Sequence, residues 1–132
     1  VALAEGLTHG GAAGMLAAAE HADRVFAGGV VAACAHSRQR LLGVEVEVGD
    51  GLARVEAMAE AIRQRTGADL GLAVDGELGR RDGRPDSSLW VAVADGRIVE
   101  IGQPPALFHD PTHAATRRMV EAVRRLRETF VA

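Results

Sequence analysis

Residues 1–16 read VALAEGLTHGGAAGML. Val1 to Gly6 is an apolar run closed by glycine, which predicts a short buried strand. A sharp turn and a helix start rich in Gly and Ala follow. Small residues there let the backbone approach something closely. This is the shape of a strand–loop–helix active-site turn. Where such a turn would present a nucleophile, this chain has Gly6.

The elements that follow build on that start. Residues 9–22 predict a small-residue helix. Residues 24–35, RVFAGGVVAACA, predict a strand with a bend at Gly28–Gly29. Residues 36–44 predict a short helical turn. Residues 50–67 carry Leu52, Val55, Ala59 and Ile62 on one helical face, and Gly67 ends that helix. ADLGLAV (68–74) predicts a buried strand and 75–87 a polar loop. Residues 88–102 predict a hairpin with a type I′ turn at Asp95-Gly96. In the last segment Asp110 is an expected N-cap and Pro111 suits the first helical position. Ala115, Met119, Val123, Leu126 and Phe130 form that helix's apolar stripe. Strands alternating with helices, plus one hairpin, predict a single domain over 1–132: a three-layer α/β/α sandwich with a mixed sheet. Ligands in such folds sit at the C-terminal ends of strands, here after Gly6, Ala35 and Val74. The chain begins with Val1 rather than Met, which leaves room for a further N-terminal helix.

Composition narrows the chemistry. The 132 residues are 48% hydrophobic and only 3% aromatic, so the core must be close-packed Ala, Val, Leu and Ile. All 15 basic residues are Arg, and there is neither Lys nor Tyr. Ser occurs only at Ser37, Ser87 and Ser88. A net charge of −3 offers no bulk attraction to nucleic acid or to an anionic membrane, and neither is an expected partner. No apolar run approaches the roughly 20 residues of a membrane helix, and no signal peptide is visible. The single cysteine, Cys34, suits a reducing, cytoplasmic compartment.

The three loops carry a resemblance. AEGLTHGG (4–11) stands against the family pattern A-E-S-C-T-G-G. GGVVAACAHSRQRLLGV (28–44) stands against G-G-V-V-A-Y-S-N-E-A-K-x-x-L-L-G-V, and GADLGLAVDGELG (67–79) against G-A-D-x-G-L-A-V-T-G-I-A-G. The sequence thus resembles, over nearly its whole length, the C-terminal domain of the bacterial CinA (competence/damage-inducible) proteins. That resemblance implies an amidase acting on nicotinamide mononucleotide through a Ser nucleophile assisted by Lys and Tyr. Those positions are Gly6, Arg38 and Ala33 here. Arg38 stays protonated and cannot act as a base. The family's Thr and Ile are replaced by Asp75 and Glu77, and the segment between Gly79 and Arg84 is shortened. The resemblance therefore implies the fold with the amidase machinery lost.

Three readings of function stay open. The first is a noncatalytic, cofactor-free domain binding a nucleotide or other phosphate-bearing molecule. Its candidate residues are Thr8, His9, Gly10, Gly11, Arg38, Asp75, Gly76, Arg80 and Arg84, with Arg81 beside them. Helix-start N–H groups at Gly10–Gly11 favour an anion there. The second is a rewired amidohydrolase using Cys34 with His9 or His36. Against it stand a buried, inert Cys34 and a helix-capping Thr8. The third is an interaction module in a homo-oligomer, with the Ala-rich helix 9–22 and PPALF (104–108) as contacts. His9, His36, Asp75 and Glu77 lack any established metal-ligand spacing, and no metal site is expected. His109 and His113 read as capping or surface groups. Arg117, Arg118, Arg124 and Arg125, interrupted by Glu121, read as a solvated or subunit-contacting helix face.

Overall fold

The computed structural model describes residues 1–45, 50–102, 110, 112, 114 and 117, with backbone alone for 78–81, 84–87 and 98–102. Five strands form one sheet: β1 (Ala2–Glu5), β2 (Gly28–Val31), β3 (Gly71–Arg81), β4 (Arg84–Ala94) and β5 (Ile98–Gly102). Their order is β2-β1-β3-β4-β5. β1 runs parallel to both neighbours, with Glu5 opposite Val31 on one side and Val74 on the other. β3–β4 and β4–β5 are antiparallel, so the sheet is mixed as expected.

The two faces of the sheet are read off the alternation along β1. Ala2 and Ala4 face the long helix α4 (Gly51–Thr66), whose Val55, Met58, Ala59 and Ile62 pack on Ala73, Ala92 and Ala94. Leu3 faces the other way, onto Leu72, Val74, Val91 and Val93. That side is covered by Ala12, Ala13 and Leu16 of helix α1 (Gly11–Ala17). Helices on both faces make three layers. The α4 face is built of alanines because the helix lies very close: a Cβ placed on Gly71 would overlap the Ala59 carbonyl oxygen.

α4 begins where expected. Asp50 Oδ1 accepts from Ala53 N at 3.1 Å, and Gly67 closes the helix in the left-handed conformation. Its buried face differs by one residue from the sequence reading. Leu52 is 43% exposed, while Arg54 is buried with Val55, Met58 and Ile62. Counting back four residues from Met58 and eight from Ile62 reaches Arg54, not Leu52.

Four other expectations are corrected. The helix read at 9–22 is two short helices, α1 and α2 (Ala22–Val25), separated by a left-handed His21. Gly11 and Gly14 weaken the first, and it has no fully buried residue to anchor a longer one. The strand read at 24–35 is confined to Gly28–Val31. The polar loop read at 75–87 is instead a continuous hairpin, with Arg81 paired to Arg84. Its turn is Asp82-Gly83, both at positive φ (50° and 75°), the same Asp-Gly signal used for the next hairpin. At Asp95-Gly96 the type I′ expectation fails. Only Gly96 has positive φ, and the loop takes in Arg97 before β5 starts, with an irregularity at Val93/Ala94.

The short helical turn at 36–44 is α3 (Ala35–Ser37) running into a π-helical turn, Arg38–Leu42, that buries Arg38 and Leu42. The expectations for PPALF, Pro111, the final apolar stripe, His109, His113, Arg118, Glu121, Arg124 and Arg125 lie outside the described residues. Arg117 Nη1 donates to the Thr112 carbonyl at 2.6 Å. Among the described residues no helix is long and apolar enough to cross a membrane.

The approach of α4 to β3 is directly testable. Gly71→Ala should cost about 3 kcal/mol or prevent folding, because its Cβ meets backbone that cannot move aside. Gly14→Ala, with nothing within 4 Å of its Cβ, should leave stability unchanged or raise it by about 0.5–1 kcal/mol. Urea denaturation of the two variants measures both.

Candidate functional site

The chain leaves β1 toward β2 on one side and returns through α4 to β3 on the other. A crevice therefore opens at the C-terminal end of β1, beside the middle of β3. A cleft of about 370 Å³ lies there, lined by Gly6, His9, Cys34, Arg38, Arg54 and Asp75 among others.

Glu5 builds one wall from behind. Alternation turns its side chain to the α1 face, where it is fully buried. Its Oε1 accepts from the Thr8 hydroxyl at 2.6 Å and Gly10 N at 2.7 Å, and its Oε2 from Ala13 N at 2.8 Å. Burial pushes this carboxyl up. The Thr8 hydroxyl and the N–H groups of Ala13, Gly10 and Ala12 outweigh that, and hold it below the usual value of 4.5. Gly11 N is meanwhile taken by the Thr8 carbonyl. Two expectations change as a result. The N–H groups at Gly10–Gly11 are not free for an external phosphate, because an internal carboxylate holds them. Thr8 does not cap the helix backbone; it donates to Glu5, which does the capping.

Asp75 builds the opposite wall. It lies in β3 rather than in a loop, points to the α4 face and is 4% exposed. Its Oδ1 accepts from Leu7 N at 3.2 Å. Its Oδ2 accepts from Arg54 Nε at 2.7 Å and stands 3.7 Å from Arg38 Nη1. Arg54 Nη2 is also 3.6 Å from Glu77, whose side chain is half exposed. A Cβ placed on Gly6 would overlap Asp75 Oδ1 and lie 2.8 Å from its Cγ. The carboxylate of residue 75 thus fills the space that a side chain at residue 6 would need. It also engages the backbone N–H that follows residue 6.

The remaining candidates divide. His9 is exposed with a left-handed backbone (φ 50°), and His36 is exposed on α3. Neither imidazole is joined to Cys34 by a hydrogen bond among the described residues. Cys34 itself is exposed, not the buried small hydrophobe its neighbour Ala33 suggested; Ala33 is exposed beside it. Its Sγ lies 3.1 Å from Ser37 Oγ. The Ser37 hydroxyl, then the Ser37 N–H, with smaller help from the His36 N–H and the Arg38 charge, lower this thiol from its usual value. Gly76 is in β3, where a Cβ would overlap the Ser88 carbonyl oxygen, so packing alone requires glycine. Arg80 and Arg84 sit near the hairpin tip. At about 3.3 Å per residue, Arg80 is roughly 16 Å along the strand from Asp75. Among the described residues no three His, Cys, Asp or Glu side chains gather as a metal site.

Two site residues were missed in the sequence, Glu5 and Arg54. Arg54 had a readable signal, a charge within an apolar helical stripe. Glu5 had only its alternation with Leu3.

The fold and the crevice define a three-layer α/β domain whose cleft is formed by a strand–loop–helix turn after the first strand. By sequence the chain belongs to the CinA C-terminal domain family, whose model matches residues 1–130. A CinA-like protein of Prochlorococcus marinus (strain MIT 9313) is 40% identical over 71% of this chain and 24% of its own. One from Gemmatimonas aurantiaca is 34% identical over 98% of this chain and 32% of its own. The chain thus spans a quarter to a third of these relatives. A solved CinA superfamily protein of Klebsiella pneumoniae has 26% identity and a TM-score of 0.67, covering 98% of this chain and 86% of its own.

Two variants test the walls. Glu5→Gln places an amide donor among N–H donors and should cost about 2–3 kcal/mol at neutral pH. Because the folded carboxyl sits below 4.5, its contribution is present above that pH and is lost as pH falls through the folded value. The variant's unfolding free energy, followed by denaturant titration from pH 7 to 3, should therefore fall less than that of the wild type. Gly6→Ser should be destabilising by about 1–3 kcal/mol while Asp75 is present, and clearly less so in an Asp75→Thr background. Additive costs in the double-mutant cycle would show that the two positions do not share this space.

Proposed function

We propose that this domain keeps the CinA C-terminal fold without serine-based amide hydrolysis, and binds a small anion, of the nucleotide or phosphate class, at Arg38. The observation that carries this is the position of Asp75. Its carboxylate takes both the space of a residue-6 side chain and the Leu7 N–H. In an acyl-transfer site that N–H, next to the nucleophile, would stabilise a developing oxyanion. The positions of the family's assisting Lys and Tyr, Arg38 and Ala33, supply neither a base nor a phenol.

Anion binding is supported by how the charges of the cleft pair. It holds two guanidinium groups, Arg38 and Arg54, and two carboxylates, buried Asp75 and half-exposed Glu77, and both carboxylates lie nearest Arg54. Asp75 is closest to Arg54 and leaves Arg38 as the less neutralised partner. The helix start, its donors held by Glu5, is not the anion site in this proposal.

The test has two parts on the purified protein. Incubation with nicotinamide mononucleotide should release no ammonia above the buffer rate, and release would overturn the loss of hydrolysis. Thermal melting with nicotinamide mononucleotide, its acid product or inorganic phosphate should show a saturable rise. At about 100 times the dissociation constant, a ligand adds about 2.7 kcal/mol, several degrees for a domain of this size. Arg38→Gln should abolish the rise.

A further inference from the structure

We propose that Cys34 is a covalent acceptor for small anionic disulfides, which Arg38 orients in the cleft. The thiol is exposed at the head of α3 and lines the same cleft as Arg38. Arg38 is only 8% exposed, yet its guanidinium makes no hydrogen bond among the described residues. Its nearest anion is Asp75 Oδ2 at 3.7 Å, and that oxygen already accepts from Arg54 at 2.7 Å. Buried polar groups are nearly always hydrogen-bonded. A buried guanidinium in a cleft wall, held by one ion pair at 3.7 Å and no hydrogen bond among the described residues, is matched to the carboxylate or phosphate of an incoming molecule. Glu77, the cleft's other carboxylate, lies against Arg54 rather than Arg38.

The site selects the reaction. Amide cleavage needs an acid for the leaving amine, and the side chain that Cys34 meets among the described residues is the Ser37 hydroxyl rather than an imidazole. Disulfide exchange needs only a thiolate and a thiolate leaving group. The Cys34 proton passes to water. Its Sγ then attacks one sulfur of R–S–S–R, a new Sγ–S bond forms as the old S–S bond breaks, and RS⁻ departs. The protein thiol is oxidised to a mixed disulfide and the departing half is reduced. The Ser37 hydroxyl and N–H, which favour the charged sulfur, support the first step.

The proposal rests on the anion reading through Arg38 and adds the bond to Cys34. The test compares exchange with 5,5′-dithiobis(2-nitrobenzoate), which is dianionic, and with cystamine, which is dicationic. Release of the coloured thiolate and intact mass are the readouts. Each rate is divided by that of a small neutral thiol, N-acetylcysteine methyl ester. The wild type should prefer the anionic reagent by about tenfold or more after this correction. Cys34→Ser should abolish the adduct. Arg38→Gln should bring the preference to within about twofold of the reference, and Arg38→Lys should retain it. A corrected wild-type ratio near one overturns the proposal, and so does a preference that persists in folded Arg38→Gln. Should Arg38→Gln not fold, the wild-type ratio decides alone. The two readings fail separately. A ratio near one with a phosphate-induced melting shift intact in Cys34→Ser removes only the covalent step. Loss of both removes the anion site as well.

Discussion

The buried carboxylate of Asp75 ties three parts of the molecule together. Through Leu7 N it holds the turn after β1, through Arg54 it holds the first turns of α4, and its own backbone lies in β3. Removing one partner from such a cluster leaves an uncompensated buried charge, far costlier than replacing the whole set with apolar groups. Residues 6, 38, 54 and 75 are therefore coupled. Gly6 is small because Asp75 is there, and Asp75 is tolerated because Arg54 reaches it.

The same economy of space runs through the α4 layer. The sheet meets the helix with Ala2, Ala4, Ala73, Ala92 and Ala94, all fully buried, and Gly71 lies under the Ala59 carbonyl. A core of small side chains gives up apolar area per residue, roughly 25 cal/mol for each Å². It gains close approach, and close approach is what lets Arg54 extend from the helix to Asp75 in the middle of β3. The low aromatic content and the charged cleft are two sides of one packing solution.

Glu5 shows how an internal group changes what a site can take. A helix start with free N–H groups attracts anions. Here the anion is built in, with Thr8, Gly10 and Ala13 on its two oxygens. The cations of the cleft are side chains, Arg38 and Arg54, set against Asp75 and Glu77. Arg38 lies on the side of α3, in the same lining as Cys34.

Much of the fold was legible in the residues themselves. Local signals were enough wherever the cause was local: the apolar β1, the capped α4 from Asp50 to Gly67, the strand at 71–74 and the hairpin after Leu89. The Asp82-Gly83 turn was equally legible, but the polar residues around it outweighed a correct turn rule. The missing Lys and Tyr were also plain from composition, and Gly6 in place of the nucleophile Ser was legible through the family pattern. What no local pattern carries is contact between residues about 70 apart, such as Asp75 with Gly6 and Leu7. That contact depends on β1 and β3 pairing in register and on α4 lying close enough to bring Arg54 across. Whether Gly6 marks an open turn or one filled by a neighbour, and whether Cys34 is buried or exposed, are questions of packing. They follow from which backbones come together, and sequence neighbours do not determine that.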